Sequence, residues 1–347
     1  MRALTVHPGS NVRPGVADVP EPPESDGSLL VETLAVGVCG TDREIVDGGY
    51  GTPPPGRDWM VMGHESLGRV LDAPPAGGFG KGDLVVAIVR HPDPVPCPHC
   101  ASGEWDMCSN GKYTERGING RDGFCSEQYR TDPEFAVKID PELGDLAVLM
   151  EPTTVLAKAW EQVDRVSERA LWEPHSVLIM GAGPIGLLGA MIGAQRGLEV
   201  HVVDRVEDGL KPALVKELGG AYHSALDKVP GGYDIVIECT GAGALVAAGV
   251  RLLRPGGALC LTGLGPTGHE MSLDVNELNR EIVLNNKVVV GSVNANKRHF
   301  HLAQEALRKG DRSWLGKLIT DRAPLDQWDK VFDTNPDRIK AVIEVAS

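Results

Sequence analysis

Polar and apolar positions change their rhythm once along this chain. Through residues 1–150 the apolar runs are short and β-branched: "ALTV" (3–6), "LLVETLAVGVC" (29–39), "SLGRVLDA" (66–73) and "DLVVAIV" (83–89). Clusters such as "PGVADVPEPP" and "APPAGGFGKGD" separate them, so they read as strands joined by turns, the pattern of a small barrel-like β domain. From about 145 the spacing becomes helical, and "DLAVLMEPTTVLAKAWEQV" places Leu146, Leu149, Val155, Leu156 and Trp160 on one face. Strands and helices then alternate: "SVLIM" (176–180), a helix opened by "GAGPIGLLGAMIGAQRG", "EVHVVD" (199–204), "GLKPALVKELGG", "YDIVIECTG" (233–241), "ALVAAGVRLLRPGG" and "ALCLTGLG" (258–265). This alternation predicts a parallel sheet covered on both faces. After "VVVGSVNANKRHF" come a helical "HLAQEALRKG" and a strand-like "KAVIEV", which is expected to return to the first domain.

Composition changes that picture little. A chain of 347 residues suits two domains with cores large enough to need no disulfide staples. The 43 glycines and 25 prolines fit many turns between short strands. A formal charge of −14 repels phosphate backbones, which argues against nucleic acid as a partner. Seven cysteines, three of them close together, resemble a metal cluster in a reducing compartment more than a secreted disulfide framework. The first residues contain no apolar targeting segment and no run reaches membrane-spanning length, so the expectation is a cytoplasmic protein without a membrane partner.

Two sets of residues carry chemistry. Gly181, Gly183 and Gly186 form G-x-G-x-x-G after one buried strand and at the mouth of a helix, where the turn, the approach of a pyrophosphate and the helix–strand packing each need a glycine. Asp204 ends the next strand, in place to bind a ribose 2′-hydroxyl, which favours NAD. The adjacent Arg205 would suit the 2′-phosphate of NADP, which stays open as the alternative. The second set is "CGTD" (39–42), "GHES" (63–66) and "MEP" (150–152), which offer Cys39, His64, Glu65 and Glu151. A thiolate, an imidazole and carboxylates together suit Zn²⁺, and three protein ligands leave the open position that a Lewis-acid catalyst needs. Singly, each of these residues is as readily a structural one.

Jointly, the "CGTD", "GHE" and "GAGPIG" blocks resemble the zinc-dependent medium-chain dehydrogenases/reductases, and "CGTDREIVDG", "GKYTERGINGRDGF", "EPTTVLAKA" and "LNNKVVVGSVNANKRHF" resemble their archaeal and bacterial glucose dehydrogenase branch nearly end to end. The resemblance implies an α/β architecture: a GroES-like β-barrel catalytic domain over 1–150, a Rossmann doubly wound parallel-sheet domain over 151–300, and a segment from about 300 to 347 returning to the first. It implies a catalytic zinc on Cys39 and His64, with Glu65 and Glu151 as ligands or close neighbours. Thr41, Glu115, Glu151 and Asn294 would meet the substrate. The coenzyme set adds Pro184, Ile185, Thr240, Gly263, Leu264, Gly265, Ser292, Val293 and Asn294 to Gly181, Gly183, Gly186, Asp204 and Arg205.

The implied activity is oxidation of a sugar hydroxyl, D-glucose or a related aldose at C1 to the lactone, with NAD or NADP. One departure bears on the substrate: where the family carries an Asp or another polar residue a few positions after "EP" to bind sugar hydroxyls, this chain has Thr153, Thr154 and then Val155. Losing a hydroxyl-binding group alters specificity, so another polyol, a modified sugar or a secondary alcohol stays open. So do a non-catalytic nucleotide-binding sensor and a zinc-free reductase on the same fold. Relatives of this kind are dimers or tetramers, and "LNNKVVVGSV" is either an interface strand or core. Finally, "CPHCASGEWDMC" resembles the family's four-cysteine structural-zinc lobe with one thiol lost. Cys97, Cys100 and Cys108 remain, and His91, His99, Glu104 and Asp106 are the candidates for a fourth ligand.

Overall fold

A computed structural model of the protein describes residues 1–265, 270–333 and 335–346. The chain divides into two compact units, Met1–Glu151 with Asn294–Ser347, and Pro152–Val293.

The first unit is built on a mostly antiparallel sheet, with its last two strands parallel to each other. Its order runs Ala136–Lys138, Leu84–Ala87, Glu65–Asp72, Leu29–Val38, Lys340–Glu344, Ile319–Pro324, and Gln128–Thr131 also pairs with Leu29–Val38. The strand Lys340–Glu344 lies against Leu29–Val38 in the register Ala341↔Val38, Val342↔Gly37 and Ile343↔Val36, while Gly37 faces Glu65 on the other side. Alternate residues of these strands, among them Leu29, Val31, Val36, Val70, Val85, Ala341 and Ile343, point into one buried core. A three-stranded sheet of Arg90–His91, Thr114–Arg116 and Gly120–Arg121 stands apart from it.

The second unit is a six-stranded parallel sheet in the order Ala221–His223, Glu199–Val203, Ser176–Met180, Tyr233–Glu238, Leu253–Leu261, Val288–Gly291. This is the 3-2-1-4-5-6 order of doubly wound dinucleotide-binding domains, and strand order reverses beside Ser176–Met180, where such sheets bind their ligand. Tyr233–Glu238 is buried at every position, as a central parallel strand is.

Two elements differ from their sequence reading. The helical run expected from 145 is a 3-10 segment, Pro141–Leu149, followed by an α-helix, Met150–Ser167. Pro152 has no N–H to give to a carbonyl four residues back, so it suits the first turn of a helix that starts at 150 and not the interior of one that starts at 145. Leu146, Leu149, Leu156 and Trp160 are nonetheless buried. The strand read at 258–265 begins earlier, at Leu253, because "RPGG" is taken up in a register shift against Tyr233 and Ile235 rather than in a separate turn.

Candidate active site

Cys39 ends the strand Leu29–Val38 and is the N-cap of the helix Gly40–Val46, where Asp42 closes the turn by accepting the Cys39 N–H at 2.9 Å. His64 enters from the adjoining strand after Gly63, whose φ of 84° and contact with Val36 and Cys125 leave no room for a side chain. Cys39 Sγ lies 3.2 Å from His64 Nε2, and one ligand atom each from Cys39, His64 and Glu65 fall within 4.8 Å of one another. His64 Nδ1 points at Asp42 Oδ1 across 3.3 Å. A buried thiol, imidazole nitrogen and carboxylate converge here, and the imidazole is oriented by a second carboxylate. This donor set fits zinc, whose histidine ligands give their other N–H to such a partner.

The charges around this cluster are tightly coupled. Burial pulls the His64 imidazole down, but Asp42 and Cys39 together hold it well above its ordinary value. Burial pushes the Cys39 thiol up against the pull of His64. Glu65 forms an ion pair with Lys340, whose side chain is fully buried and also donates to the Val38 carbonyl at 3.1 Å. A side chain on Gly37 would collide with both partners of that pair. Glu151, in the first turn of the helix Met150–Ser167, stands outside the three-donor cluster. Its carboxyl is pushed up to about 7, first by burial and then by the charge of Glu65, against the pull of His64 and Lys340. Thr41 is half-buried in the turn between Cys39 and Asp42.

Glu115 lies directly across the strand pair from Arg90. Its Oε1 accepts from Arg90 Nε at 3.0 Å and from Asn294 Nδ2 at 2.9 Å, and Arg90 Nη2 lies 3.0 Å from it in the ion pair. Asn294 has a φ of 61°, a left-handed conformation that asparagine tolerates better than most residues.

In the second unit, Gly181 has a φ of 102° and abuts Thr240, and a side chain on Gly186 would strike the Gly181 carbonyl. The space beside Gly183 is open, as close approach of a pyrophosphate requires. Gly183 caps the helix Pro184–Gln195, with Pro184 and Ile185 in its first turn. Asp204 Oδ2 accepts the Ala182 N–H at 2.7 Å, which ties the acidic strand end to the glycine loop, and Arg205 is exposed beside it. Gly263 and Gly265 pack against Gly241, next to Thr240, while Leu264 is exposed. Ser292 is buried and Val293 exposed, its carbonyl taking a bond from the buried Lys158 at 2.9 Å.

Residues 144–345 match the family described as glucose dehydrogenase C-terminus, and residues 25–141 match the alcohol dehydrogenase GroES-like domain. The chain belongs to the zinc-dependent glucose dehydrogenases. It is 39% identical to glucose 1-dehydrogenase 2 of Vulcanisaeta moutnovskia and 40% identical to glucose 1-dehydrogenase 1 of Caldivirga maquilingensis, over 99% of both chains in each case. Its fold superposes on the glucose dehydrogenase of Haloferax mediterranei in complex with NADP, Zn and gluconolactone, with a TM-score of 0.92 and 32% identity over 100% of both chains. The GroES-like and doubly wound architecture expected for this glucose dehydrogenase family is therefore the one observed.

The cysteine lobe of this family member is compact. Cys97, Cys100 and Cys108 bring their sulfurs within 4.8 Å of one another, but the cluster does not extend to His91, His99, Glu104 or Asp106. His91 stacks on Phe135, Glu104 pairs with Arg298, and Asp106 Oδ1 accepts from Asn296 at 2.7 Å. The amides of Cys100 and Ser109 donate to Cys97 Sγ at 3.5 Å each and hold its thiol down to about 5. Burial, with Cys97 beside it, pushes Cys100 up to about 11.

Four contributors escaped the sequence reading. Asp42 sits inside "CGTD" yet received no role. Lys340 is a charge at the head of the apolar run in "KAVIEV". Arg90 follows an apolar strand with nothing to mark it. Glu238 ends the buried strand Tyr233–Glu238; its carboxylate accepts from the amides of Thr240 at 2.7 Å and Gly241 at 2.9 Å, and its carbonyl from that of Thr262 at 2.9 Å, so it ties together the loops that follow two neighbouring strands. A carboxylate closing an all-apolar run was the available signal.

Proposed function

We propose that the protein oxidises D-glucose, or a closely related aldose, at C1 to the lactone, with NAD or NADP as oxidant and zinc at the Cys39–His64 cluster. The observation that carries this reading is the convergence of Cys39, His64 and Glu65 on one buried point, beside a Glu151 carboxyl near neutrality. When bound, zinc supplies the Lewis acidity that makes the substrate hydroxyl easier to deprotonate, and the nicotinamide takes the hydride.

The chain's own residues do the rest. Cys39 and His64 hold the ion, Asp42 fixes the imidazole, and Lys340 keeps Glu65 in place as an exchangeable neighbour. Glu151 accepts the hydroxyl proton, because a base with a pKa near the working pH is charged and still basic enough to be useful. Thr41 is placed to pass that proton on. Glu115 and Asn294 bind sugar hydroxyls. Gly181, Gly183 and Gly186 receive the pyrophosphate and Asp204 the ribose, with Arg205 available to a 2′-phosphate. Thr153 and Thr154 are wholly buried and Val155 partly so, which supports a sugar pocket poorer in hydroxyl partners on that side.

Three finer assignments belong to the same proposal. The three lobe thiols hold a second, structural zinc, supported by the convergence of their sulfurs and by the two N–H···S bonds to Cys97. The protein works in the cytoplasm; no helix among the described residues is long and apolar enough to cross a membrane. It assembles as a homodimer or homotetramer, for which the edge strand Val288–Gly291, with its exposed Val289, offers a surface. Initial rates for a panel of aldoses and simple alcohols, each with NAD and NADP, test the activity. Glucose should lead the panel; oxidation of simple alcohols with no sugar turned over would overturn the assignment.

A further inference from the structure

We infer that Arg90 is a positioning residue that dedicates one oxygen of Glu115 to the substrate. The inference rests on the reading of Glu115 as a sugar-binding carboxylate and adds how that carboxylate is prepared. An arginine facing a carboxylate commonly forks, one N–H to each oxygen, which uses both oxygens. Here the fork closes on a single atom. Nε donates to Oε1 at 3.0 Å, Nη2 lies 3.0 Å from that same atom in the ion pair, and Asn294 Nδ2 donates to it as well at 2.9 Å. Among the described residues no donor bonds Oε2. An ionised carboxylate oxygen without a partner is a strong acceptor for a hydroxyl.

The pose of Arg90 is over-determined. Cross-strand register sets it opposite Glu115. Its guanidinium lies 3.7 Å above the Tyr113 ring, and Nη1 donates to the Asp106 carbonyl at 3.3 Å. The side chain is almost fully buried, so its charge needs Glu115 as much as Glu115 needs it. Asp106 sits in the 3-10 turn between Cys100 and Cys108, and its carboxylate also holds Asn296, two residues beyond Asn294. One turn of the cysteine lobe therefore braces both arms that converge on Glu115 Oε1.

The test uses glucose and its monodeoxy analogues with the wild-type enzyme and with Arg90→Lys, Arg90→Met, Tyr113→Leu and Glu115→Gln. In the wild type, the analogue lacking the hydroxyl bound by Oε2 should lose about 100-fold in kcat/KM relative to glucose. In Arg90→Met the glucose KM should rise about tenfold while kcat falls no more than about threefold, and the penalty for that one analogue should shrink to within about threefold. Arg90→Lys, a point charge without the fork, should recover part of the penalty. Tyr113→Leu, which removes only the supporting ring, should move in the same direction by less and covers the case in which Arg90→Met does not fold. Coenzyme KM should not move.

A purely structural arginine would weaken all sugars alike and leave the analogue penalty intact, and that result would overturn the inference. Glu115→Gln separates the two readings. If it erases the penalty while the Arg90 variants keep it, the inference about Arg90 fails alone. If it changes no sugar, the role of Glu115 fails and the inference fails with it.

Discussion

Among the described residues two clusters of donors suit a metal ion, and they are insulated from their surroundings in opposite ways. Around Cys39, His64 and Glu65 the donors are mixed and the next layer is made of full charges, Asp42 behind the imidazole and Lys340 behind the carboxylate. Around Cys97, Cys100 and Cys108 the donors are three thiols, and the neighbours are amides: the Cys100 and Ser109 N–H groups at Cys97 and the side-chain carbonyl of Asn110 at Cys108. Charges that can shift suit a site where a proton must leave. Amides that cannot titrate suit one that only has to keep its shape. The first setting suits chemistry and the second suits bracing.

The largest break in this comparison should come from Cys39→Ala. Turnover is expected to fall by at least about 1,000-fold, in line with the loss of a central catalytic group, while dinucleotide affinity, which belongs to the second unit, stays within about twofold; isothermal titration with NAD and NADP beside initial rates reads both. Cys108→Ser is the matched change in the lobe. Zinc per subunit should drop from two to one by elemental analysis, with an effect on kcat at least about 100-fold smaller than that of Cys39→Ala. A zinc count of one in the unaltered protein would reduce the lobe to a remnant.

Next comes the charged layer. Lys340→Met strands Glu65 without its counter-ion in the core and should cost about 3–5 kcal/mol of stability in denaturant titrations. Adding Glu65→Gln should restore much of it. A loss of under about 1 kcal/mol would mean that the two side chains do not form a buried ion pair.

The smallest effect concerns the wall of the lobe. His91 is buried against Phe135, and burial, with the charges of Arg116 and Arg121, pushes its imidazole down to about 2. The unfolded chain takes up a proton below about pH 6.5 that the folded state refuses, so stability is complete above that pH and falls as acid is added. Between about pH 6.5 and 5 the slope should approach 1.4 kcal/mol per unit for this one group. His91→Gln should flatten it, as thermal denaturation at several pH values would reveal.

Legibility from sequence followed the locality of each feature. Gly181, Gly183, Gly186 and Asp204 are contained in one strand–helix–strand stretch, and the alternation around them predicts the sheet that holds them. "CGTD" and "GHE" were readable as donors because their chemistry is unusual. Arg90, Lys340 and Glu238 were not, since a lone charge beside an apolar run is ordinary until pairing shows what it faces. Arg90 meets Glu115 only through the register of two very short strands, and Lys340 reaches Val38 across 302 positions of chain. The helix start at Met150 was blurred for a different reason, because a 3-10 turn and an α-helix share apolar spacing over one or two turns.

The return of the strand Lys340–Glu344 imposes an order in time. Translation adds about 5–20 residues per second, so Cys39, His64 and Glu65 wait many seconds for the lysine that neutralises their carboxylate. The coenzyme unit is continuous in sequence and is synthesised entirely within that interval. On a growing chain the nucleotide fold can be finished first, and the reactive cluster gains its last charge only after it.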